Sequence, residues 1–375
     1  MKIVVIGGGI LGSSTTYHLA KSGAEVCLID KHHQGQATDA AAGIVCPWLS
    51  QRRNKAWYTL AKSGASYYPH LIKELEADGE TETGYRRVGT ISIRKDKNKV
   101  IAMEERARHR RETAPEIGEI SVLSKEQTSN LFPPLDKEFE SIYISGGARV
   151  DGRKLRNSMQ RAAEKNGATI IRGKAAALSS NANNDVNGVY VGDEFVEADV
   201  VIVTAGVWAK QFLEPLGIEF CVEPQKAQIA HVHLPDTDTS NWPVVMPPND
   251  QYLLAFDDGH IVAGATHEND RGFDTTVTPI GIHEIFDKAL NIAPGLAQAE
   301  LIETRVGFRP VLPNFLPVIG PLPGFEQILV ANGLGSSGLT TGPYLGSQLA
   351  KLALGMEIEL DLNDYPVKEA VKWLD

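Results

Sequence analysis

The chain has 375 residues, 42% of them hydrophobic and 22% charged, with a formal net charge of -10. That balance describes an ordinary globular protein large enough for two lobes, and it lacks the basic surplus that binding a phosphate backbone demands, so no nucleic-acid partner is expected. Three cysteines, Cys27, Cys46 and Cys221, make no disulfide framework and fit a reducing compartment. No apolar run is long enough to cross a bilayer, and the chain opens directly on a strand, so a cytoplasmic protein without a leader is expected.

In chain order, Lys2 to Ile6 reads as a short apolar strand. Ile10 to Ser22 reads as a helix closed by Gly23, and Glu25 to Asp30 as a second strand. This βαβ unit begins a parallel sheet. Asn54 to Asp78 follows with helical spacing, and Arg86 to Arg94 reads as one strand. Two helical stretches come next. The first carries the basic run Arg106-Ala107-Arg108-His109-Arg110-Arg111, which its flanking Glu104, Glu105 and Glu112 mark as a solvated helix face. A helix from Gly152 to Asn166 leads into Ala168 to Leu178 as a returning strand, then a short meander, then the fully apolar Ala198 to Ala209, the mark of a buried parallel strand.

From Phe220 to Thr266 the pattern alternates polar and apolar, with Asp257-Asp258-Gly259 as a hairpin turn, so an antiparallel second lobe is expected. A helix from Pro279 to Ile292 and a strand from Glu300 to Val311 complete it. The last quarter returns to an apolar strand, Ile328 to Ala331, and a helix starting near Gly338. The fold class is therefore α/β with an α+β second lobe: a Rossmann-like dinucleotide-binding domain and an antiparallel-sheet substrate domain. The expected ranges are 1–82, 145–215 and 300–375 for the first, and 83–144 and 216–299 for the second.

Gly7, Gly9 and Gly12 form G-x-G-x-x-G between the first strand and the first helix. The first glycine permits the turn, the second lets backbone approach a pyrophosphate, and the third lets helix and strand pack closely. The helix N-terminus offers free N–H groups and a partial positive charge to phosphate. Asp30 ends the second strand, where a carboxylate receives ribose hydroxyls. Lys31, His32 and His33 follow within reach of an adenosine, although exposed loop positions are the simpler reading.

A second glycine-rich helix start, Asn332-Gly333-Leu334-Gly335-Ser336-Ser337-Gly338-Leu339-Thr340, lies near the other end. Gly333, Gly335 and Gly338 let backbone approach a flat ring, and the helix would aim its N-terminus at one ring edge. No nucleophile elbow is present, because Leu334 and Leu339 stand where G-x-S-x-G needs glycines. A long dinucleotide with a ring at its far end, held by both loops, is the reading that uses both. His231 and His233 share a strand face but lack a third ligand, so no metal site is expected.

The motifs "VIGGGILG", "ATDAAAGIV", "VTAGVWA", "IVAGATHENDRGFD", "VGFRPVLPNFLPVIG" and "NGLGSSGLTTGP", in this order over nearly the whole chain, resemble the D-amino-acid oxidase superfamily of FAD enzymes, nearest to its glycine-oxidase-like and D-amino-acid-dehydrogenase-like members. The resemblance implies FAD held by Gly7, Gly9, Ile10, Leu11, Gly12, Asp30 and Lys31 at the first loop. It adds Thr38 and the Ala42-Gly43-Ile44 step beside the flavin, Ala176 facing the adenine, and Ala205, Gly206 and Trp208 near the pyrophosphate. At the second loop it implies Gly333, Gly335, Ser336, Ser337, Gly338, Leu339 and Thr340. Cys46 is expected to pack near the flavin. Some relatives tether the flavin through a histidine, where this chain has Ala40, or through a cysteine near the Arg-Pro motif, where none follows Cys221; the FAD is expected to be non-covalent.

On the substrate side the resemblance implies that Arg309, in "RVGFRP", grips a carboxylate in the bidentate manner its planar fork suits. Tyr252 shares that carboxylate, and His267 lines the pocket or handles protons. Arg309 also counts among the flavin-side residues. The implied reaction is hydride transfer from the Cα of a small amino acid or amine to flavin N5, giving an imine that hydrolyses to a 2-oxo acid, with oxygen or an electron carrier as final acceptor. Oxidation of a 2-hydroxy acid within the same superfamily, or an NAD(P)-dependent dehydrogenase, are the alternatives. A homo-oligomer is compatible with the sequence.

Overall fold

Alternate residues of the first strand, Lys2–Ile6, are buried on opposite faces of one sheet. Ile3 and Val5 join a core with helices Ile10–Lys21, Lys55–Ala77 and Gly338–Ala353, through Leu11, Leu60, Tyr68 and Leu345. Val4 and Ile6 join a second core with Val189, Val191 and Leu213. A strand covered on both sides has no polar face to show, which is why it reads as an unbroken apolar run. In the computed structural model, residues 1–180 and 186–374 are described.

That sheet has six strands in the order Val318–Leu322, Phe325–Asn332, Val200–Val203, Lys2–Ile6, Glu25–Asp30, Thr169–Arg172. All neighbours are parallel except the first pair. Register places Ile6 beside Val203 and Val203 beside Val330. Three strands from the front, middle and rear of the chain therefore end level, and each runs straight into a glycine turn at Gly7, Gly206 or Gly333, all with positive φ. In open parallel sheets ligands bind outside the carboxyl ends of the strands.

The second lobe is built on an eight-stranded sheet, ordered Glu300–Val311, Glu223–His233, His260–Gly264, Tyr252–Ala255, Val244–Met246, Thr90–Arg94, Glu140–Ile144, Ile120–Leu123. Its pairs are antiparallel apart from Val244–Met246 beside Thr90–Arg94. One face packs Ala230, Val232 and Ala263 against the helix Pro279–Ile292 through Ile285 and Ala289. The other presents Ala227, Ile229 and Leu254 in a cluster with Ala42 of the first lobe.

The strand Glu300–Val311 pairs along its length with Glu223–His233, within the sheet of the second lobe. Three expectations need correction. Arg86 to Arg94 is two strands in different sheets, broken at Gly89 with φ +78°, where a Cβ would lie 2.3 Å from the Tyr143 ring. Ala168 to Leu178 also divides, at Gly173 with φ +76°. The basic run is only partly solvated: Arg110 donates from Nη1 to the Trp48 and Ser50 carbonyls and lies over the Tyr58 ring at 4.5 Å, and Arg106 Nη1 is buried.

Candidate active site

One cavity runs between the lobes, walled by both glycine loops, the Ala205-Gly206 turn, the Ala40–Ile44 segment and the substrate-sheet face at Ala227, Ile229 and Tyr252. The helices Ile10–Lys21 and Gly338–Ala353 both start on it. Neither has a side-chain N-cap bond, and neither has an acidic residue in its first turn. Every other described helix of seven residues or more is capped by a side chain, from Asn54, Asp96, Ser124, Asp151 or Thr278. The Ile10 N–H donates to Thr38 Oγ1 at 3.0 Å, and the positive dipole ends of both helices are left toward the cavity. Packing brings the two together: Ser14 Oγ donates to the Pro343 carbonyl at 2.6 Å, and a Cβ on Gly346 would lie 2.6 Å from Ser14 Cβ.

At one end of the cavity Asp30 is buried, and its carboxylate accepts from Gln36 Nε2 at 3.1 and 3.2 Å. No cation pairs with it among the described residues. Gln36 Oε1 is buried without a partner, so the pair offers acceptor oxygens to hydroxyl donors. Nearby, His33 lies flat on Trp208, with ring centroids 4.3 Å apart and 7° between planes. Uncapped helix starts, an acceptor pair and a flat-walled slot fit the diphosphate, ribose and rings of an FAD.

At the other end Arg309 sits on Glu300–Val311 directly across from Gln225. It spends one nitrogen on two neutral acceptors: Nη1 donates to Gln225 Oε1 at 3.2 Å and to the Thr266 carbonyl at 3.3 Å. No carboxylate among the described residues lies at ion-pair distance from it. Burial lowers its pKa, yet a guanidinium stays charged. The neighbouring Tyr252 hydroxyl makes no hydrogen bond among the described residues, and burial pushes its pKa up to about 12, against the pull of Arg309, so it is a neutral donor. The two groups form an unsatisfied anion grip opening on the cavity.

Most positions expected from sequence line this cavity: Gly7, Gly9, Ile10, Leu11, Asp30, Lys31, Thr38, Ala42, Gly43, Ile44, Ala176, Ala205, Gly206, Trp208, Tyr252, Arg309, Gly335, Ser336, Gly338, Leu339 and Thr340. Four do not. Gly12 serves packing, since a Cβ there would lie 1.9 Å from the Gly7 carbonyl oxygen. Gly333 turns the chain against Leu312, and Ser337 receives the Trp57 indole N–H at 3.0 Å. His267 lies outside the lining, 3.7 Å from Asp250, with its pKa lowered first by burial and then by Arg309.

Cys46 is buried but is not in the cavity wall, and burial pushes its thiol up to about 12. His231 bonds His260 at 2.8 Å, and no metal-binding group of three ligands occurs among the described residues. Sequence reasoning missed Gln36, Phe308, Asn332 and Lys174, and read His33 as a loop position. Gln36 and Phe308 carry no motif of their own; only the bridge from Gln36 to the strand at Phe308 brings them to the wall.

The chain matches the family of FAD dependent oxidoreductases called DAO over residues 2–352. It is 60% identical over 363 residues to an uncharacterized oxidoreductase of Bacillus subtilis, covering 96% of this chain and 97% of that one. It is 30% identical over 372 residues to the glycine oxidase of Pseudomonas aeruginosa, covering 97% and 98%. Among solved structures it superposes with a TM-score of 0.93 on the iminodiacetate oxidase of Chelativorans sp. BNC1, at 46% identity, covering 97% of this chain and 98% of that one. The chain belongs to the DAO family of FAD-dependent oxidoreductases. It is an enzyme whose cofactor is FAD.

Proposed function

We propose that this enzyme oxidises the C–N bond of a small amine carrying a carboxylate next to the reacting carbon, with glycine and N-carboxymethyl amines of the iminodiacetate kind as the first compounds to try. Arg309 carries this reading: its charge has no carboxylate partner among the described residues, and it shares the cavity wall with the Tyr252 hydroxyl, which has no hydrogen-bond partner among them. The activities named for the glycine oxidase and iminodiacetate oxidase relatives support C–N oxidation and do not favour the 2-hydroxy-acid or NAD(P) alternatives.

Arg309 and Tyr252 hold the substrate carboxylate, and Gln225 and the Thr266 carbonyl hold Arg309. Fixing the carboxylate fixes the α-carbon, so orientation is obtained before any bond breaks. Bound FAD supplies the acceptor for the hydrogen and two electrons that leave this carbon. Ala42, Ala227 and Ile229 give the wall an apolar, water-excluding surface. His267 stands exposed outside the wall beside Asp250, and partial desolvation, then Arg309, lower its pKa, so it adds no second positive charge next to Arg309. Ala40 in the cavity wall, and the absence of any cysteine among the lining residues described, support non-covalent attachment. Oxygen or an electron carrier takes the electrons onward. No described helix is long and apolar enough to cross a membrane, and the cytoplasm is the proposed location.

Arg309→Leu tests the reading. Loss of a desolvated carboxylate partner should cost about 2–5 kcal/mol in kcat/KM for the amine. A variant that keeps wild-type kcat/KM would remove Arg309 from the site.

A further inference from the structure

The segment between Thr266 and the helix Pro279–Ile292 has no helix or strand beyond an isolated bridge from Glu268 to Lys226, and two fully buried polar side chains of the strand Glu223–His233 also hold it down. Lys226 Nζ donates to Asp274 Oδ2 at 2.8 Å and to the Thr276 carbonyl at 2.7 Å. Gln228 donates to Glu268 Oε1 at 2.7 Å and to Thr278 Oγ1 at 3.0 Å, and accepts the Thr278 N–H at 2.9 Å. A buried lysine with a single charged partner is an expensive fastening for an ordinary surface loop.

What the fastening presents is Phe273. Positive φ at Asp270 and Gly272 turns the tip, and the Phe273 ring, 42% exposed, reaches the other lobe. It lies on Trp208 at 5.6 Å and 21°, and meets Phe308 edge-on at 5.6 Å and 80°. Trp208 in turn stacks on His33. His33, Trp208 and Phe308 all line the cavity on which Asp30 and the Ala205-Gly206 turn also open. Phe273 itself does not line it, so its ring packs behind the wall.

We infer that Glu268–Thr278 is a strap whose Phe273 locks His33, Trp208 and Phe308 over the diphosphate end of the FAD, so that the cofactor leaves only when the strap lifts. The inference rests on the cavity being the FAD site. Phe273 is a positioning residue, acting through Trp208 and Phe308. Its effect belongs to cofactor release and not to substrate binding, because Arg309 and Tyr252 touch other parts of the wall.

The test dilutes the flavin-loaded enzyme and follows the fluorescence of released flavin. Loss of one aromatic pair predicts that Phe273→Ala releases flavin roughly 3- to 10-fold faster, with KM for the amine within about twofold of wild type and with Phe273→Trp close to the wild-type release rate. Trypsin gives a second readout at Arg271, whose side chain is 56% exposed beside the tip: cleavage there should be faster in loaded Phe273→Ala than in the loaded wild type. Lys226→Met should release flavin at least as fast as Phe273→Ala; if it does not fold, the two Phe273 variants decide alone. Equal release from Phe273→Ala and a flavin-retaining wild type overturns the strap while leaving the cavity reading intact. A wild type that never retains flavin overturns both.

Discussion

Lys226 is fully buried and Arg309 half-buried, and their surroundings separate their roles. Lys226 has Asp274 and a carbonyl on its ammonium, so its charge is answered within the chain. Arg309 has only a side-chain amide and one carbonyl, both on a single nitrogen, so its charge is answered by whatever enters. His231 shows a third outcome. Burial, then the Arg305 guanidinium, lowers its pKa to about 3, and it stays neutral in the fold. The unfolded chain takes up that proton near pH 6.5, so stability from this residue is complete above about 6.5 and falls with pH below it, by about 1.4 kcal/mol per pH unit. His231→Leu should make the loss of unfolding free energy between about pH 6 and 5 shallower by one proton, as read by urea denaturation at each pH. An unchanged slope would contradict the assignment.

Elements carry the next level, and the glycine turns are the clearest case. Gly12 touches no cofactor surface; it lets the first helix lie against the turn at Gly7. Gly12→Ala should push the uncapped helix start off the cavity, and the purified protein should retain well under half of the wild-type flavin-to-protein ratio. Full retention would mean that the helix start does not grip the diphosphate. The turn was readable because strand, glycines, helix and Asp30 recur at fixed offsets. The hairpin at Asp257-Asp258-Gly259 was readable for a similar local reason, and Asp258 and Gly259 do take positive φ. Local signals failed where one apolar run serves two sheets. Nothing in Arg86 to Arg94 says that the strand changes partner at Gly89, because only the distant Tyr143 ring requires it. The strap at Phe273 was likewise invisible, since its anchors are long-range contacts from Lys226 and Gln228.

At the scale of the molecule, the front and rear of the chain meet because the strands Lys2–Ile6 and Phe325–Asn332 flank Val200–Val203 in one sheet and end level. The class of fold was legible from two glycine loops each preceded by a buried strand, and both loops do line one cavity. The position of His267 was not, because its distance from the wall depends on how the Thr266–Thr278 segment leaves the second sheet. The second sheet supplies further wall of the same cavity, so Arg309 and Tyr252 line it together with the two glycine loops. We therefore propose that a single cavity holds FAD by both chain ends and presents a small carboxylate-bearing amine to it. Anaerobic mixing of the purified enzyme with iminodiacetate, glycine and sarcosine, following the visible flavin absorbance, tests that claim most directly. The account predicts that at least one of these amines bleaches the flavin, and that the matching amine without its carboxylate does not. Flavin that stays oxidised with all of them, or bleaches equally with the carboxylate-free amine, would contradict it.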